Sequence, residues 1–137
     1  MISVTKSIHI TRVDVHNVDD VLGYLGSNVQ LVSVECWRAV AFAAVLADRA
    51  VKRGGTAHAK TLGGGELLLR LAGTHQIREA IREVGAKNGL NYLVIFGDRS
   101  KAEETLRNLG LTEVELKDCS DDELKRFFEK SALVEVL

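Results

Sequence analysis

The 137-residue chain has no proline, so its 12 glycines have to break the elements instead. It has two cysteines, Cys36 and Cys119, far apart and without C-x-x-C spacing. Neither a disulfide framework nor a zinc site is expected from them, and Cys36 reads as a small buried hydrophobe. No apolar run reaches the roughly 18–20 residues that a membrane span needs. The opening residues, Met1-Ile2-Ser3-Val4-Thr5-Lys6, hold no basic segment followed by an apolar run. No signal peptide is expected there, and the expected location is cytoplasmic. What is present is ordinary: 46% hydrophobic and 27% charged residues exclude disorder. The length fits one domain over residues 1–137.

The net charge of −1 hides an asymmetry. Residues 1–37 carry −2, residues 38–107 carry +5 and residues 108–137 carry −4. Most of the excess lies between Arg49 and Lys87, with eight basic residues against three acidic. A basic middle and an acidic end suggest two surfaces with different partners, unless the charges merely scatter over solvated faces.

Strands and helices interleave along the chain. Ile2 to Arg12 alternates and reads as one strand or two. Val18 to Gly26 reads as a short helix and Val29 to Val34 as a strand. Ser33 is a candidate cap for a helix over about Val34 to Val51, apolar almost all round. Gly63-Gly64-Gly65 reads as a flexible entry to a strand, Glu66 to Ala72, apolar on both faces. A helix follows from His75 to about Gly85, with Ile77, Ile81 and Val84 as its core stripe. Tyr92 to Phe96 is a second buried strand. Asp98 or Ser100 caps the next helix, with Ser100 and Glu103 forming a capping box, and Gly110 ends it. Thr112 to Lys117 reads as an edge strand, and Ser120 to Glu123 as a second capping box. The tail from Ala132 to Leu137 fits a helix or a final strand. The expected class is α+β, two-layer, with a mixed β-sheet and helices packed on it.

No catalytic constellation emerges. His9, His16, His58 and His75 lack metal-ligand spacing, so no metal and no cofactor are expected. Ser-x-x-Lys, G-x-S-x-G and the P-loop pattern are missing. The acidic pairs Asp19-Asp20 and Asp121-Asp122 sit at expected helix starts and serve the helix dipole. The best anion candidate is Gly73-Thr74-His75-Gln76, where a strand would hand over to a helix N-terminus with free N–H groups. Helical spacing aligns His75, Arg78 and Arg82, and Arg70 and Lys87 would flank them. The competing view is a solvated ridge with Glu79 and Arg82 paired.

Residues 70–89, Arg-Leu-Ala-Gly-Thr-His-Gln-Ile-Arg-Glu-Ala-Ile-Arg-Glu-Val-Gly-Ala-Lys-Asn-Gly, resemble the core motif of a known family. The pattern is Arg70, Gly73, Gln76-Ile77, Glu79-Ala80-Ile81, Gly85-Ala86-Lys87 and Gly89. It is similar to the smallest accessory subunit of the KEOPS (EKC) complex, the PRPK-binding protein family. Residues 129–135, Glu-Lys-Ser-Ala-Leu-Val-Glu, resemble its archaeal members. The Gly63–Gly65 run departs from the pattern.

This resemblance implies a non-catalytic subunit of a complex that makes threonylcarbamoyladenosine on tRNA. Such a subunit docks on the kinase-like ATPase subunit, acts indirectly on the transferase subunit, and recruits tRNA through its 3′ CCA end. Positive charge tracking phosphates suits that task, with sparing help from planar rings, since aromatics are only 5%. The expected tRNA-binding residues are Lys60, Arg70, Gly73, Thr74, His75, Gln76, Arg78, Arg82 and Lys87, with Arg53 extending the path. For the ATPase subunit the candidates are Phe127, Phe128, Leu133, Val134, Val136 and Leu137, unusually apolar for a free end. The alternative is a purely protein-binding regulator without RNA contact.

Overall fold

The computed structural model describes residues 1–53 and 63–136. Lys60, His58 and Leu137 lie outside the described residues. Strands β1 (Ile2–Thr5) and β2 (Ile8–Val15) open the chain, followed by two 3-10 turns, Val18–Asp20 and Leu22–Tyr24. Then come β3 (Val29–Val32), α1 (Trp37–Lys52), α2 (Gly63–Ala72) and α3 (Ile77–Val84). The chain continues through β4 (Gly89–Phe96), α4 (Arg99–Leu109), β5 (Thr112–Val114) and α5 (Asp121–Val136).

The five strands form one sheet of order β1-β2-β4-β3, with β5 pairing the far half of β2 beside β1. The α+β class stands, but every pairing is antiparallel, so the sheet is not mixed. Even β3 and β4, which are joined through α1, α2 and α3, pair antiparallel. Period-two alternation divides the sheet between two cores. Ile8 and Ile10 of β2 lie over Phe96 and Val94 of β4 and face α1, α2, α3 and α5. Val13, Val15, Leu31, Leu93 and Ile95 face the other way, against Ala102, Leu106 and Leu109 of α4. That second cover adds a layer to the two expected from sequence.

Residues 66–72 are helical, not a strand. Leu67, Leu68, Leu69 and Leu71 are all buried because α2 lies among α1, α3 and α5 and over the sheet. A helix buried on all sides has the same short apolar run as a central strand, which periodicity does not separate. The glycines before it are not a flexible strand entry. The Gly64 N–H donates to Ser27 O at 2.8 Å, and a Cβ there would meet Gly26 O at 2.0 Å, so this helix start needs glycine for close backbone approach.

Other local expectations shift for similar reasons. In α3, Ala80 and Val84 are buried while Ile81 is 53% exposed, so the inward stripe is rotated from the expected one. Cys36, not Ser33, is the N-cap of α1. Asp98 caps α4 by accepting from the Lys101 N–H at 2.7 Å, and Glu103 pairs with Arg99, so the Ser100 box is not formed. The Ser120–Glu123 box is formed, with the Glu123 N–H donating to Ser120 Oγ at 3.2 Å. The tail is helix through Val136.

Cys36 and Cys119 form a disulfide across 83 residues, which corrects the reading from their spacing. Spacing in sequence says nothing about a return in space. Here the segment after β5 passes back over the start of α1, and the Trp37 N–H donates to Lys117 O at 3.0 Å. No helix among the described residues is long and apolar enough to cross a membrane.

Candidate functional site

The glycine-marked corner joins two helices, α2 and α3, rather than a strand and a helix. Gly73 has φ +71°, the left-handed conformation that closes a helix without penalty only for glycine. The N–H groups of Gly73 and Thr74 both donate to Leu69 O, at 2.8 and 3.2 Å. The Gln76 N–H donates to Thr74 Oγ1 at 3.1 Å. The N–H groups of Gly73, Thr74 and Gln76, expected to face an anion, are thus spent inside the turn. Lys130 of α5 also packs on the corner, since a Cβ at Gly73 would lie 2.9 Å from its own Cβ. His75 is half-buried beside it and Gln76 is exposed.

Arg70 does not flank this corner at the surface. It is fully buried in α2, its Nε 3.6 Å from Glu66 Oε2 one turn earlier, and Glu66 is equally buried. The Arg70 carbonyl accepts from Ser131 Oγ at 3.2 Å, tying α2 to α5. A guanidinium so placed holds the helix layer together and has no access to a phosphate.

The structure keeps Arg78, Arg82 and Lys87 together on the outside. Helical rotation of about 100° per residue sets Arg78 and Arg82 beside Ile81 on one edge of α3, and Glu79 and Glu83 on the other. Arg78 and Arg82 are exposed and make no ion pair among the described residues. Exposed Lys87 follows, its Nζ 3.5 Å from Glu83 O. Beside the edge lies an apolar cleft of about 220 Å³, lined by Leu22, Leu25, Leu68, Ile81, Gly85 and Ala86. Leu22 and neighbouring Tyr24 are exposed on the 3-10 turn. Residues of a segment remote in sequence complete this shelf, which sequence reasoning missed; the unexplained apolar Leu22-Gly-Tyr-Leu25 was the signal present.

The expected partner residues do not form one patch. The Phe128 ring meets the Phe42 ring of α1 at a tilt of 54°, with centroids 4.3 Å apart. Both rings remain 37% exposed. Leu133 is exposed too, but about 140° away around α5, on the side of Lys130. Phe127 is half-buried against the core and carries Lys130 Nζ 5.5 Å from its ring centre. Val134 is buried, so it packs the fold. The Val136 side chain, like Leu137, lies outside what the structure describes. Phe42 was missed because α1 read as apolar all round.

Around the disulfide lies a set of exposed ion pairs. Arg38 Nε meets Asp118 at 2.6 Å and its Nη2 meets Asp121 at 3.3 Å. Lys117 Nζ meets Glu35 at 2.8 Å. The Arg38 hydrogen bond holds the Asp118 carboxyl below its ordinary range, and Asp118 in turn raises Arg38. Lys117 lowers Glu35 in the same way. On the sheet, Glu113 is lowered by the Thr11 hydroxyl, 2.6 Å away, and by the N-terminal amine. Burial raises Tyr92, whose hydroxyl donates to Lys117 O at 2.5 Å and accepts from the Lys117 N–H at 2.7 Å. Cys36, Asp118 and Cys119 offer donor atoms within 4.8 Å of one another, but the two sulfurs are bonded together, so they leave a metal no thiolate.

A carboxylate with a folded pKa below its unfolded one stabilises the fold fully above the unfolded pKa, and that stability is lost as pH falls through the folded value. The melting temperature is therefore expected to fall as pH drops below the ordinary Asp and Glu range. Asp118→Asn should flatten part of that dependence. A pH series of thermal melts for both proteins checks it.

The chain is 41% identical over 124 residues to the KEOPS complex subunit Cgi121 of Pyrococcus abyssi. The match covers 88% of this chain and 71% of that protein. The chain belongs to the Cgi121 family. No family model matches it. For this Cgi121-family chain, the site described above offers charge and an apolar shelf on α3 and an aromatic pair between α1 and α5. It brings together Arg78, Arg82 and Lys87, and leaves Arg70 and Val134 inside.

Proposed function

We propose that this chain serves as a non-catalytic subunit of the KEOPS tRNA threonylcarbamoyladenosine complex, recruiting tRNA by its 3′ CCA end and binding the kinase-like ATPase subunit. The observation that carries the RNA half is the outward edge of α3, where Arg78, Arg82 and Lys87 adjoin the cleft at Ile81. Exposed cations beside an apolar shelf suit a single strand, whose phosphates take the charge and whose unstacked bases take the shelf. Contact runs through side chains rather than the corner's backbone. Lys130, packed on Gly73, adds a cation from α5. The exposed Phe42–Phe128 pair is the face for the ATPase subunit, since aromatic side chains are enriched at protein interfaces.

A gel shift with intact and CCA-trimmed tRNA at two salt concentrations tests the RNA half. Phosphate contacts from Arg78, Arg82 and Lys87 alone predict a roughly 20-fold loss of affinity on a single strand between 50 and 200 mM salt. Trimming the CCA end, or the double change Arg78→Glu and Arg82→Glu, is expected to weaken binding at least ~10-fold. Unchanged binding in the double variant refutes the site. The exposed aromatic pair also favours a second reading, a regulator that binds protein alone. It predicts no tRNA shift at either salt, with Phe128→Glu still abolishing capture by the ATPase subunit.

A further inference from the structure

We propose that the Cys36–Cys119 disulfide is a thiol–disulfide exchange site that reversibly latches the start of α5 onto the start of α1, and thereby sets the face carrying Phe42 and Phe128. Its consequence for a partner rests on the reading of that face given above; the latch itself does not. The bond joins the N-cap residue of α1 to a residue two positions before α5. Across residues 121–130 of α5, Leu124 is the one buried side chain, with Phe127 half-buried. Beyond these, this half of the helix is held at its far end by Phe128 against Phe42 and by Lys130 against Gly73, and at its start by exposed ion pairs from Arg38 to Asp118 and Asp121 and by the Arg38 Nη2–H donating to Cys119 O at 3.3 Å. Exposed pairs contribute little each, so before Leu124 the covalent bond is the strongest tie on the start of α5, and segments so anchored are the ones that open locally.

The two cysteines differ in access. Cys36 is only 1% exposed, whereas Cys119 is half-buried. The thiolate of an incoming dithiol therefore attacks Cys119 Sγ. A mixed disulfide forms, the Cys36–Cys119 bond breaks, and its electron pair leaves on Cys36 Sγ. The second thiol of the reductant, deprotonated, then attacks the mixed disulfide and releases Cys119. The dithiol departs as its own disulfide, two electrons have passed to the protein, and its two protons go to the cysteine sulfurs or to solvent according to their acidity. Cys36 suits the leaving role. Cys36 is the N-cap of α1 and no side chain caps that turn, so the released sulfur belongs to the residue at the positive end of the helix, with Arg38 close by; the Trp37 N–H is already given to Lys117 O. Asp118 Oδ1, 3.7 Å from Cys36 Sγ, opposes a thiolate, but that carboxylate is already held by Arg38. Glu35 and Lys117 pair with each other at the same end.

The test uses the full chain purified without reductant, and the same chain treated with dithiothreitol. Thiol titration should count no thiols before treatment and two after it. Hydrogen exchange should then show amides of residues 121–130 exchanging at least 10-fold faster in the reduced chain, with β2 and β4 unchanged. A Cys119→Ser chain should show the fast exchange with or without dithiothreitol, which separates loss of the bond from any other effect of the reductant. Two thiols in the never-reduced chain, or equal exchange over residues 121–130 in the two forms, overturns the proposal. Faster exchange with weaker binding of the KEOPS kinase-like subunit supports latch and partner face together. Faster exchange with unchanged binding keeps the latch and removes the partner from the α1–α5 face.

Discussion

Arg70→Met should destabilise the fold by about 3–5 kcal/mol, the usual cost of removing one partner from a buried ion pair. The methionine keeps most of the stem volume, so the loss reports the removed buried charge rather than a cavity. Both residues are fully buried one helical turn apart, with α2 enclosed by α1, α3 and α5. Adding Glu66→Gln to Arg70→Met should recover part of the loss, because the Glu66 charge paired with the Arg70 guanidinium is then gone as well. Urea unfolding of the wild type, single and double variants measures this. If Arg70 instead gripped tRNA at the surface, the single variant would unfold like the wild type and lose RNA affinity.

Removing the disulfide comes next in size. Closing a loop across 83 residues restricts the unfolded chain by roughly 4.5 kcal/mol in the loop-entropy model. A Cys36→Ala, Cys119→Ala protein, and the wild type in reductant, are expected to lose about that much in urea unfolding and to agree with each other. A loss below about 1 kcal/mol would show that the unfolded ensemble was not restrained by the bond. This global effect acts on the unfolded state and differs from the local opening of α5, which hydrogen exchange reads in the native state.

Much of the architecture was legible without coordinates. The alternation of Ile8 and Ile10, the buried run from Tyr92 to Phe96, the Ser120–Glu123 box and the stop at Gly110 all describe local chemistry, and all hold. The failures share a cause. Leu67 to Leu71 is apolar on every side because of what packs around it, and neighbours are not written in a local pattern. The i,i+4 pair of Glu66 and Arg70 was the helix signal available there. Ile81 was placed inward by spacing, but Ala80 takes that position because α3 must lie close against α2, and a small side chain permits it.

For the candidate site, the sequence alone determined the family and the charges. A resemblance across residues 70–89 is carried by residue identities, exposed Arg78 and Arg82 follow from the 3.6-residue period of a short amphipathic helix, and Lys87 flanks them just after it. Only the tertiary structure decided that the Gly73 turn spends its own N–H groups, that Arg70 is internal, and that the Leu22 turn supplies the shelf at Ile81. It alone joined Cys36 to Cys119 and Phe42 to Phe128. Each of these depends on which distant segments meet, and that is fixed by the packing of whole layers rather than by any stretch of chain read by itself.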